Sequence, residues 1–90
     1  MKSDRQKLAE WYFKQYPKTT EEKDAYLSKF KVGTSRYGKA QAELAAHPKT
    51  VEEQVKLMEN LDDAQIKVRL NHCLQVAQQK GLEPPEAPAN

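Results

Sequence analysis

Prolines and glycines cut this chain at intervals that leave room for helices and little else. Pro17, Gly33, Pro48 and Gly81 fall between stretches rich in Ala, Leu, Glu, Lys and Gln, residues that lose little side-chain freedom in a helix. No stretch alternates β-branched and polar residues over a useful length, so strand signals are absent. The expected class is all-α, with helices over residues 4–15, 20–32, 35–46, 51–61 and 63–80.

Capping residues set those boundaries. Ser3 precedes the first helix with Gln6 as its capping-box partner, and Pro17 ends it. Thr19 with Glu22, Thr50 with Glu53 and Asp62 with Gln65 repeat the pattern, and Thr34 or Ser35 caps the third helix. Gly33 and Gly81 are placed to take the left-handed conformation after a helix, with Leu82 available for the accompanying apolar contact. Pro48 stops the third helix by His47.

A shift of 31 residues lays Tyr16-Pro17-Lys18-Thr19-Thr20-Glu21-Glu22-Lys23 over His47-Pro48-Lys49-Thr50-Val51-Glu52-Glu53-Gln54, with five identities in eight positions. Tyr26, Leu27 and Phe30 then fall on Leu57, Met58 and Leu61. This pattern predicts two tandem helical hairpins preceded by an aromatic-rich helix. Pro-Lys-Thr-x-Glu-Glu is also a good way to begin any helix, so duplication and convergence both account for the echo. Residues 1–82 are expected to form one helical domain. Residues 83–90, with three prolines and no apolar run to bury, are expected to be a disordered tail.

At 90 residues the core must be thin, because a chain of this mass buries only about 64% of the surface its unfolded form exposes. A deep cavity with its own catalytic shell does not fit within that allowance. The last helix has one clear apolar stripe of Ile66, Leu70, Cys73, Leu74 and Ala77. Cys73, the single cysteine, is on that stripe a small buried hydrophobe rather than a reactive thiol.

Two apolar groups exceed what one core face needs. Trp11, Tyr12 and Phe13 are consecutive, so they cannot all face one way. Together with Leu8 and Ala9 they cover an arc of about 200°. They are candidate partner anchors, or else the first helix is buried on two sides. Val68, His72 and Val76 line the far side of the last helix and are candidates for contact with a partner or a second copy of the chain.

Charge is polarised. Residues 1–46 hold ten basic and six acidic side chains, net +4, while residues 47–90 hold five and seven, net −2. The positive part centres on Lys29, Lys31, Arg36 and Lys39 around Gly33, beside Thr34, Ser35 and Tyr37. These cations suit nucleic-acid phosphates or an acidic protein surface alike.

No catalytic constellation is present. His47 and His72 lie on different elements, and there is no phosphate loop, nucleophile elbow or Cys/His pair at metal-ligand spacing. The acidic pairs Glu21-Glu22, Glu52-Glu53 and Asp62-Asp63 sit in first helical turns, where dipole compensation explains them. No metal, cofactor or membrane contact is expected, and the charged N-terminus with a lone cysteine points to a cytoplasmic chain. The functional expectation is a non-enzymatic binding module or regulatory subunit for a protein partner. The alternatives are a nucleic-acid-binding regulator using the basic turn, and a self-assembling helical oligomer.

Overall fold

A computed structural model of the chain describes residues 2–89. Among them are five helices and no strand: α1 (Asp4–Gln15), α2 (Thr20–Leu27), α3 (Ser35–Ala46), α4 (Val51–Leu57) and α5 (Asp63–Lys80). Contacts gather these into two compact units, one formed by Tyr16–His47 and the other by the segments on either side of it.

The flanking segments form a three-helix unit around α1. Leu8, Ala9 and Trp11 of α1, Met58 after α4, and Ile66, Leu70, Cys73 and Ala77 of α5 make one buried cluster. Tyr12, Val51, Val55 and Leu61 pack at its edge. Helix α1 packs on both α4 and α5, while α4 and α5 make no close backbone approach among the described residues. The expected second hairpin is therefore not one: α1 stands between its two helices. The wide apolar arc of α1 follows from this, because two neighbours on different sides need two buried faces.

Helix starts follow the caps read from sequence. Thr19 and Asp62 each accept from the N–H three residues on and receive the reciprocal side-chain contact. Thr50 accepts from the Glu53 N–H, but Glu53 Oε2 accepts from the Lys49 N–H at 2.6 Å, so that box is not closed. Gly81, at φ +69°, ends α5, and the Leu82 N–H reaches back to the Ala77 carbonyl at 2.9 Å.

Two helices stop earlier than expected. Helix α2 ends at Leu27 rather than at residue 32. Ser28 Oγ donates to the Ala25 carbonyl at 2.6 Å, the acceptor that the Lys29 N–H would use in a continued helix. Lys29 and Phe30 turn instead onto the carbonyls of Tyr26 and Leu27. Helix α4 ends at Leu57 rather than at residue 61. Arg5 of α1 donates to the Met58 carbonyl at 2.6 Å and to that of Leu61, and also approaches Asp63 at 3.8 Å. The Met58 and Glu59 N–H groups turn onto the carbonyls of Val55 and Lys56, three residues back, and the guanidinium satisfies carbonyls of the turn that follows.

In the Tyr16–His47 unit, α2 packs on α3, and Ala40 is the only fully buried residue. Tyr26 and Phe30 meet edge to face at 5.6 Å, and the Tyr26 hydroxyl donates to Glu43 at 3.4 Å. Gly38 has no neighbour within 4 Å of where a Cβ would sit, and Ala42 is exposed.

Candidate peptide-binding groove

Residues Asp4, Lys7, Trp11 and Lys14 recur at helical spacing and form one face of α1. Residues 83–89 lie along that face in the opposite direction, where sequence reading expected a disordered tail. The Trp11 indole N–H donates to the Glu83 carbonyl at 2.9 Å, and Lys7 Nζ donates to the Ala87 carbonyl at 2.8 Å. The Ala89 N–H donates to the Asp4 carboxylate at 2.9 Å. Three of the four positions thus hold main chain.

The fourth holds charge. Lys14 Nζ approaches the Glu83 carboxylate at 3.5 Å, and Lys2 Nζ approaches Glu86 at 3.7 Å. Lys2 also lies 2.8 Å from Glu10, and that hydrogen bond holds the Glu10 carboxyl below its ordinary range. Lys7 pairs with Asp4 at 3.6 Å. A cleft of about 400 Å³ runs between this face, Phe13, Val51 and residues 83–86.

Three residues per turn is the repeat of a polyproline helix, and burial along the tail follows it: Pro85 is buried and Pro88 half-buried, while Glu86 and Ala87 between them are exposed. Glu83, Pro84 and Ala87 each precede a proline, which biases them toward extended backbone. The prolines read from sequence as a mark of disorder are what pre-form the docked strand.

The other sequence-predicted residues are dispersed. Trp11 is 8% exposed and is a core residue as well as a hydrogen-bond donor, while Tyr12 and Phe13 are half-buried. Burial raises the Tyr12 hydroxyl above its usual range, with Cys73 beside it adding to the shift. On α5, Val68 is 69% exposed, His72 is exposed and Val76 is half-buried. Lys29, Lys31, Arg36 and Lys39 are all exposed in the Tyr16–His47 unit. The Thr34 hydroxyl there is committed: it donates to the Lys31 carbonyl at 2.6 Å and accepts from the Tyr37 N–H at 3.3 Å.

Cys73 is buried and unpaired with any other cysteine, and burial pushes its thiol up. Among the described residues no group of three or more His, Cys, Asp or Glu side chains is gathered as a metal site would need. No helix is long and apolar enough to cross a membrane. Sequence reading missed Asp4, Lys7 and Lys14. Their spacing with Trp11 was the available signal, but its meaning depends on a strand 69 to 85 positions away. Compared with family models, with curated proteins and with solved structures, the chain matches none.

Proposed function

We propose that this chain is a small non-enzymatic binding module that engages a protein partner through the outer face of α1. The observation that carries the reading is the mode of contact on that face. Trp11, Lys7 and Asp4 address the main chain of an extended segment, and main-chain contacts provide affinity for a strand whatever its side chains. The Trp11 donor, fixed in a packed helix, loses little entropy on binding, and the cations Lys7 and Lys14 stand beside it. Work in the cytoplasm accords with the buried, unpaired Cys73.

A benzophenone amino acid in place of Phe13 tests the proposal by photo-crosslinking in an extract of the source cells. The expected product is a discrete adduct with another protein. Absence of any intermolecular protein adduct from this position overturns the reading.

The second reading, nucleic-acid binding, draws on the exposed cations Lys29, Lys31, Arg36 and Lys39, none of which joins an ion pair among the described residues. It predicts oligonucleotide affinity that falls steeply with salt and weakens in Lys31→Ala/Arg36→Ala. A chain that fails to bind duplex or single-stranded oligonucleotides at low salt removes it.

A further inference from the structure

We infer that the α1 face is a receptor for acidic, proline-containing peptides in extended conformation, and that the chain's own residues 83–89 occupy it as a built-in competitor. The inference rests on the protein-binding reading and specifies its ligand and its control. Three independent features of the docked segment define the ligand. Its main chain is read by the Trp11 indole, the Lys7 ammonium and the Asp4 carboxylate. Its carboxylates Glu83 and Glu86 face Lys14 and Lys2. Its prolines alternate in burial with the three-residue repeat of a polyproline helix, Pro85 buried and Pro88 half-buried.

The same features make the tail displaceable. Its ion pairs are exposed, and exposed pairs contribute little each. It joins α5 at Gly81 and Leu82 and has no helix or strand of its own. A strand held by a few hydrogen bonds and one buried proline is a reversible occupant, and a partner segment of the same chemistry competes for the same donors. A tail docked about nine-tenths of the time lowers the apparent affinity of a competing peptide about tenfold. The tail thus sets the affinity threshold a partner must exceed.

The test uses the full chain. Pro85→Asp places a charge where a buried proline sits and releases the tail without touching α1. A second variant, Glu83→Lys/Glu86→Lys, releases it by repulsion from Lys14 and Lys2 should the first fold poorly by circular dichroism. A fluorescein-labelled peptide of sequence GLEPPEAPAN is titrated into wild type and both variants by anisotropy, with GLEPDEAPAN as control. The expected result is binding to the released variants at least about tenfold tighter than to wild type, weaker binding in Pro85→Asp/Lys14→Glu than in Pro85→Asp, and no binding of the control peptide. Equal affinity for wild type and released variants, or no binding to any, overturns the inference. A wild-type dimer that dissociates in Pro85→Asp also overturns it, because the tail would then serve exchange between two copies. A Phe13 protein adduct alongside failed peptide binding leaves the protein-binding reading standing and removes this inference alone.

Discussion

The rings of Tyr16 and His47 stack with centroids 4.3 Å apart and planes 26° from parallel, joining the first and last residues of the Tyr16–His47 unit. Each precedes a proline, Pro17 or Pro48, and these are the same two positions that the 31-residue echo lays over one another. Closing a loop of this length has an entropic cost that grows slowly with length, so one ring contact at its base acts on the whole segment.

The burial of His47 in that contact predicts a unit sensitive to acid. His47 Nδ1 is buried and has no hydrogen-bond partner among the described residues, and burial holds the imidazole below the ordinary histidine value of 6.5. Lys23 pushes the same way, and Glu43 opposes. A folded state that resists protonation loses stability relative to the unfolded chain as pH falls below 6.5, until the folded imidazole itself titrates. Thermal unfolding at pH 7.5 and 5.5, followed by amide signals of α2 and α3, is expected to show a lower midpoint in acid. His47→Phe, which keeps a ring without a titrating group, is expected to reduce that difference. An equal acid loss in both proteins rules out His47 as the source.

Arg5 provides the second prediction. Its guanidinium bonds the carbonyls of Met58 and Leu61 and joins α1 to the turn before α5. Hydrogen bonds to a charged donor contribute about 1.5–3 kcal/mol each when buried, and Arg5 is only partly so; Arg5→Ala is expected to cost about 2 kcal/mol in all. Urea unfolding monitored by helical circular dichroism measures this directly. A loss under about 0.5 kcal/mol, the size of an ordinary surface change, shows that the turn holds without it.

How much the sequence revealed follows from which contacts are local. Thr19, Thr34, Thr50, Asp62 and Gly81 act within a few residues of themselves, and each marks a boundary seen in the structure. The stripe of Ile66, Leu70, Cys73, Leu74 and Ala77 was equally legible, because one helix period suffices to find it, and all but the half-buried Leu74 are buried. The clamp on the turn after α4 was not, since Arg5 lies more than fifty positions from the carbonyls it holds. The docked tail was hidden for the same reason. A proline-rich segment has no apolar run, so composition alone cannot distinguish a free strand from one pre-formed for Trp11 and Lys7.

Gly38 offers a gain rather than a loss. It sits inside α3 with helical backbone and open space where a Cβ would go. Glycine in a helix interior costs about 0.5–1 kcal/mol relative to alanine through the freedom it has when unfolded. Gly38→Ala is expected to stabilise the Tyr16–His47 unit by that amount, read as slower amide exchange across α3. Unchanged or faster exchange would mean that the backbone at Gly38 is used in some other way.

The two units differ in what holds them, and this gives the last prediction. The three-helix unit buries Leu8, Ile66 and Leu70 almost completely, whereas in the other unit α2 has no fully buried residue and α3 has Ala40 alone. Segments with few buried apolar contacts open locally at lower free energy than the core. Amides of α2 and α3 are therefore expected to exchange well before the thiol of Cys73 becomes accessible to a disulfide reagent. Cys73 is 3% exposed with its thiol raised by burial, so its labelling requires opening of the unit around α1. Raising urea in small steps and recording amide exchange beside Cys73 labelling separates the two events. Loss of both at one urea concentration, with the same free energy, shows instead that the units unfold together.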